Sequence, residues 1–343
     1  SLYKICGKRY PMREWMAEDL QYFDRKMSEV FAVMEENTML KECLAYTKNA
    51  GGKRIRPLIC LLSAESVGGS REDATDVAIS IELLHNASLI HDDIIDNNYI
   101  RRMKPSNPAI YGEEKAIIMG DFLFGISCMM LARCKDARVM EIVSRAVSEI
   151  AEGEYLSFNL RYSDEVSESF YLKVISLKTA SVFKASAEAG AVLGGGKEED
   201  VLHLRAYGLN LGIAYQIQDD ILDIFGDPST IGKPVGLDIK NGERTILMIH
   251  ALENAGKEDR DFLMQILSGE LPVTEDHIKR IREIMLSTDS LRYATELAES
   301  FVETAKMHVS MMKNTHSQKM EARKKLMFIA DWSMKRMREQ MIV

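Results

Sequence analysis

Two carboxylate clusters carry the chemistry this chain can do. The first is Asp92-Asp93-Ile94-Ile95-Asp96, the second Asp219-Asp220-Ile221-Leu222-Asp223, and both sit in apolar surroundings. On a helix, residues four apart share a face, so Asp92 aligns with Asp96 and Asp219 with Asp223. Carboxylates crowded into one turn of a largely buried helix must be paired or must hold a metal. An all-oxygen donor set suits Mg²⁺, which takes one or two carboxylates and completes its shell with water and phosphate. A single Asp-Asp-x-x-Asp is most often a solvated helix face or a cap. Two copies facing each other would make a cage for a diphosphate. An EF-hand is excluded, because its loop needs alternating oxygen ligands around a central Gly.

Cations recur at the positions such an anion would need. Gly51-Gly52-Lys53-Arg54-Ile55-Arg56-Pro57 places basic residues at the start of a predicted helix over 58–66, where they oppose the dipole unless an anion sits between them. Arg101 and Arg102 follow the first cluster and offer bidentate phosphate contacts. Lys178, with Thr179, falls in an apolar run and needs a partner, a role a phosphate would fill. His85 lies about two turns before Asp92 on roughly the same face. Glu82 and His85 form half of the Glu-x-x-His pair of a di-iron bundle, but no second Glu-x-x-His follows. Gly232-Lys233 lies in a Gly-rich loop that lacks Walker A spacing.

These residues need helices to position them. With 343 residues, 46% of them hydrophobic, the chain can build a large core, and its seven Pro and scarce strand signals favour an all-α protein. The patterning predicts one or two amphipathic helices over 12–48, a long helix over 73–100, and further helices over 113–134, 136–160, 167–193 and 200–225. Breaks fall near Lys135 and Ser163-Asp164. Residues 245–343 read as amphipathic helices without a recognisable site, and no linker divides the chain. The net charge of -8 opposes nucleic-acid binding. Five scattered Cys (6, 43, 60, 128, 134) read as free thiols in a reducing compartment. Ser1-Leu2-Tyr3-Lys4 shows no signal-peptide pattern. The stretch 116–132 is short and broken by Asp121 and two Gly, so a buried core helix is expected there rather than a membrane span.

Taken together, the motifs resemble those of the trans-isoprenyl diphosphate synthases, or polyprenyl synthetases, of the geranylgeranyl and farnesyl diphosphate synthase kind. The likeness runs from about 50 to 245: Gly-Gly-Lys-x-x-Arg-Pro at 51–57, the aspartates at 92–96, Arg101-Arg102, Lys178-Thr179, Gln-x-x-Asp-Asp-x-x-Asp at 216–223, and Gly232-Lys233. The resemblance implies a single domain over 1–343, an isoprenoid synthase-type helical bundle around a deep central cavity, usually a homodimer. It implies Mg²⁺-dependent head-to-tail condensation of an allylic diphosphate with isopentenyl diphosphate. The thiols and the lack of a signal-peptide pattern or membrane-span pattern lead us to expect a cytoplasmic protein without stable membrane insertion. Asp92, Asp93, Asp96 and Asp219 would hold Mg²⁺, three ions per site with substrate bound, with Asp220 and Asp223 in support. Arg101, Lys178 and Lys233 would grip the allylic diphosphate, and Lys53, Arg56, His85 and Arg102 would hold isopentenyl diphosphate. Thr179 and Gln216 would sit beside the reacting carbons.

Three departures from the family pattern stand out. Ser157 replaces a common Asp in the segment 153–157. Glu243 stands where a Lys is usual, with Arg244 beside it, and the first cluster lacks the two-residue insertion of one class of farnesyl diphosphate synthases. In the family this chain resembles, the residues five and four before the first motif often act as a floor for the growing product; here they are small, Ala87 and Ser88, which implies a product of C20 or longer, with C20–C25 expected. The alternatives are a farnesyl diphosphate synthase (geranyltranstransferase), a class I terpene cyclase, which normally carries one Asp-rich motif, and a non-catalytic partner subunit, which typically loses one cluster.

Overall fold

Apolar residues at three- and four-residue spacing carry the chain into helices. The computed structural model describes residues 4–5, 8–9, 15–49, 51–101, 103–134, 136–162, 167–231, 234–313 and 317–342. Arg102 and Lys233, the expected breaks at Lys135 and Ser163-Asp164, and Cys6 lie outside them. The chain gathers into two compact units. One comprises 1–145, 182–208 and 308–329, the other 146–181, 209–307 and 330–343.

In the first unit, a short antiparallel ribbon of Lys4–Ile5 against Lys8–Arg9 precedes α1 (Ala17–Glu36), α2 (Lys41–Asn49), α3 (Ile55–Val67) and α4 (Arg71–Ile95). After a two-stranded antiparallel ribbon, Ile100–Arg101 against Lys104–Pro105, come α5 (Asn107–Tyr111) and α6 (Glu113–Leu131). Every residue of α3 except Arg56 and Glu65 is buried, as expected of a helix that is apolar all round. Its neighbours come close: a Cβ on Gly190 would lie 2.1 Å from the Cys60 carbonyl oxygen, so only glycine fits there. Helix α4 packs along both α3 and α6. Ser70 and Asp73 form its N-terminal capping box, and the Ser80 and Ser127 hydroxyls, 2.8 Å apart, tie it to α6.

Helix α7 (Ala137–Tyr162) contributes to both units, as do α10 (Glu198–Phe225), α16 (Ser290–Met311) and α17 (Ser317–Gln340). Between α7 and α10 lie α8 (Glu168–Ile175), a π-helical turn over Ser176–Ala180, and α9 (Ser181–Leu193). The second unit also holds α11 (Pro228–Ile231), α12 (Leu237–Lys240), α13 (Ile246–Asn254), α14 (Lys257–Leu267) and α15 (Glu275–Ser287).

Four expectations need correction. The helix predicted over 73–100 stops at Ile95. Asp96 caps it and Asn97 turns the chain at φ 51°, a left-handed conformation that asparagine tolerates. The helix predicted from 58 starts at Ile55, three residues earlier, after Gly51, Gly52 and Arg54 have taken positive φ. The run 167–193 is interrupted by the wide turn at 176–180. Finally, 116–132 is not buried all round, because Ile117, Ile118, Phe124 and Met129 are exposed. Among the described residues, no helix is long and apolar enough to cross a membrane, and Cys43, Cys60, Cys128 and Cys134 are free thiols.

Candidate active site

In the first unit, the last turn of α4 separates the three aspartates by depth. Asp92 and Asp96 are half-buried, whereas Asp93 is 2% exposed. The Arg101 guanidinium clamps Asp93: Nε donates to both carboxylate oxygens at 2.9 Å and Nη2 to Oδ1 at 2.7 Å. Burial works against the charge of Arg101, but Asp93 outweighs it and holds the guanidinium above its ordinary pKa. The short ribbon delivers Arg101 to this position, and Lys104 Nζ ties it to the Asn49 carbonyl at 3.1 Å.

The basic segment divides in the same way. Arg54 turns inward and pairs with buried Glu82 at 2.5 Å. Asn86 also donates to Glu82. Glu82 therefore serves the fold, which removes the carboxylate that a di-iron reading would need. Arg56 instead lies 3.2 Å from His85 Nε2 and stacks over the Phe183 ring at 4.5 Å, while Lys53 is exposed. A cavity of about 320 Å³ opens beside Asp93 and Arg101, walled by Tyr46, Leu89, Lys104 and Tyr111. Asp92, Asp96, Arg56 and His85 do not line it.

In the second unit, the end of α10 repeats the separation. Asp219 is half-exposed, and Asp220 and Asp223 are buried. The Tyr171 hydroxyl donates to Asp220 Oδ2 at 2.6 Å and Gln216 Nε2 donates to Oδ1 at 2.7 Å. Gln216 Oε1 accepts from the Thr179 hydroxyl at 2.7 Å. Thr179, Gln216, Asp220 and Tyr171 thus form one hydrogen-bonded chain. Burial pushes Asp220 up to about 7; the Tyr171 and Gln216 bonds oppose this, and the charges of Asp219 and Asp223 add to it. Asp223 accepts from the Asp238 backbone N–H at 3.0 Å, which anchors the loop after the cluster.

Lys178 and Thr179 lie on the π turn. Such turns carry one residue more than an α-helical turn and are frequent at functional sites. Helix α7 lies hard against this one, since a Cβ on Gly153 would fall 2.4 Å from Lys178 N. The next residue, Glu154, pairs with Lys178 Nζ at 2.6 Å. The partner expected for Lys178 is therefore present in the protein itself. Ser157, where the family pattern has Asp, is buried and turns its hydroxyl to the Glu154 carbonyl. Glu243 is held by Arg161, whose Nε donates at 2.8 Å, and its neighbour Arg244 is buried at the start of α13.

Sequence reasoning missed Tyr171 and Arg336. Arg336, on α17, donates from Nη2 to Asp219 Oδ1 at 2.6 Å and from Nη1 to the Tyr215 hydroxyl at 2.6 Å. Residues 245–343 read from the sequence without a recognisable site, and the structure brings Arg336 from that stretch to Asp219. Nothing local signals the contact, because the partners stand 117 residues apart.

Asp92 and Asp96 in the first unit, and Asp219 in the second, each present carboxylate oxygen at a partly open position, the hard donor type that suits Mg²⁺, which keeps waters and takes phosphate oxygens beside one or two carboxylates. Among the described residues, no three His, Cys, Asp or Glu side chains gather into a metal cage of their own.

Residues 37–285 match the family model for polyprenyl synthetases. A short chain isoprenyl diphosphate synthase of Methanothermobacter thermautotrophicus is 36% identical over 318 residues, 91% of this chain and 95% of that protein. A geranylgeranyl diphosphate synthase of Saccharolobus solfataricus is 34% identical over 304 residues, 87% of this chain and 90% of its own. Among solved structures, a polyprenyl synthase from Caulobacter crescentus CB15 complexed with calcium and isoprenyl diphosphate superposes with a TM-score of 0.86. It is 31% identical, and the match covers 94% of this chain and 96% of that one.

Proposed function

Because the chain belongs to the polyprenyl synthetase family, we propose that it is a trans-prenyltransferase acting as one domain over 1–343. It joins an allylic diphosphate head-to-tail to isopentenyl diphosphate. Asp92, Asp96 and Asp219 supply the metal-facing oxygens, and three Mg²⁺ bind with the substrate. When bound, Mg²⁺ stabilises the negative charge that builds on the departing diphosphate. Asp93 does not face that charge; it holds Arg101 in place so that the guanidinium can. Asp220 and Asp223 support the second cluster from below. Lys178, oriented by Glu154, and Lys233 complete the grip on the allylic diphosphate. Lys53, Arg56, His85 and Arg102 hold isopentenyl diphosphate. Thr179 and Gln216, locked to each other, stand by the reacting carbons. The proton lost after carbon–carbon bond formation goes to the departing diphosphate, and apolar walls keep water from the cation.

One observation carries the reading: each Asp-Asp-x-x-Asp cluster opens with a half-exposed carboxylate and follows it with a buried one held by a named donor. A solvated helix face would leave all three carboxylates open.

The product is C20 to C25. Ala87 is small and buried on α4, one turn and a residue before Asp92, and the Saccharolobus relative is a geranylgeranyl diphosphate synthase. The enzyme works in the cytoplasm as a homodimer. The test is product analysis after incubation with Mg²⁺, labelled isopentenyl diphosphate and each of the C5, C10 and C15 allylic diphosphates. A ladder ending at C20 or C25 is expected, and Ala87→Phe should shorten it. Product that stops at C15 would overturn the chain length. Absence of incorporation with every primer by folded protein would overturn the reaction.

A further inference from the structure

The last helix reaches the second carboxylate cluster at several points. Gln218 Nε2 donates to the Ser333 hydroxyl at 3.1 Å. Arg336 meets Asp219 and Tyr215, as above. The Asp227 N–H donates to the Gln340 carbonyl at 2.8 Å, Gly226 bridges to Met341, and the Ile342 N–H donates to the Phe225 carbonyl at 2.9 Å. Every residue from 225 to 227 is thus tied to the segment 340–342.

We propose that Arg336 is a positioning residue for metal binding. On this view it fixes the orientation of Asp219 and offsets the repulsion among Asp219, Asp220 and Asp223. The proposal rests on the reading of Asp219 as a metal ligand. Three features support it. Arg336 is 2% exposed, so it cannot swing into solvent when a cation arrives. Its guanidinium is stacked 4.4 Å from the centre of the Tyr215 ring and bonded to that hydroxyl, so its plane is set before any ligand binds. Asp219 is the half-exposed member of its cluster and the one whose rotamer burial alone does not fix. A planar fork that reaches a phenol and a carboxylate at once needs arginine, since a lysine ammonium supplies the charge without the geometry.

The test is Mn²⁺ binding by electron paramagnetic resonance, with excess inorganic diphosphate and no turnover, on the full chain. Arg336→Met should weaken Mn²⁺ binding about 10–100-fold, the range typical when a residue that orients a metal ligand is lost. Arg336→Lys should recover part of that loss. Tyr215→Phe removes one anchor of the guanidinium and keeps its charge; it should weaken binding severalfold, and it tests the proposal if Arg336→Met fails to fold. Wild-type or tighter Mn²⁺ binding by folded Arg336→Met, or by Tyr215→Phe where Arg336→Met does not fold, would overturn the proposal. Asp219→Asn separates the two levels. Unchanged Mn²⁺ binding in that variant refutes Asp219 as a ligand and the proposal with it. Weak binding by Asp219→Asn beside wild-type binding by Arg336→Met refutes the positioning role alone.

Discussion

Within each cluster, neighbouring aspartates do different work, and the difference is measurable. Asp92→Asn should lower turnover by about 10²-fold or more, as loss of preorganised charge stabilisation does, while the urea midpoint stays put. Asp93→Ala should cost both activity and stability. It leaves Arg101 without the carboxylate it clamps, a loss of about 2–3 kcal/mol once the partial exposure of Arg101 is allowed for. Equal urea midpoints for the two variants would contradict the assignment. The motifs themselves are plain in the sequence, because residue type and spacing survive without a fold. What spacing cannot give is depth. Arg54 and Arg56 are two residues apart, yet one pairs with buried Glu82 and the other with His85. Glu154 carries no signal of its own in the sequence until the fold brings it to Lys178.

Helix existence was legible from periodicity, and helix irregularity was not. The π turn at 176–180 leaves no mark in an apolar run, but it governs where Lys178 and Thr179 point. Gly153→Ala tests its seating. The added methyl meets Lys178 backbone rather than a movable side chain, so a loss of about 1–3 kcal/mol is expected from overpacking. Thr179 should lose register with Gln216, and turnover should fall with stability. A variant with wild-type turnover and urea midpoint would show that α7 does not seat the turn. A second test at this scale concerns α10 and α16, whose His203 and His308 place Nδ1 atoms 3.2 Å apart. Burial, and then the charge of His203, holds the His308 pKa below its ordinary 6.5. Folded His308 therefore resists a proton that the unfolded chain accepts. Stability from this pair is complete above about pH 6.5 and declines as pH falls below it. The urea midpoint should drop between about pH 7.5 and 5.5, and by less in His308→Gln. An equal drop in both proteins would remove His308 from the account.

At the scale of the molecule, α6 is apolar on a face that the described residues leave exposed. Ile117, Ile118, Phe124 and Met129 recur there at helical spacing and are exposed, a pattern that a second copy would bury. Ile118→Glu should convert a dimer into a monomer in sedimentation velocity, and a dimer in both proteins would place the interface elsewhere. The overall class of fold could be read before any coordinates, because composition and period decide it. The tie between Arg336 and Asp219 could not, because no local rule links residues 117 positions apart. That separation also bears on how the protein is made. Synthesis delivers Asp219, Asp220 and Asp223 long before Arg336, so for that interval the nascent chain carries three clustered carboxylates without their counter-charge. Closing so long a loop is entropically costly and comes late in folding. The second cluster is therefore expected to be the last part of its unit to become resistant to protease during translation.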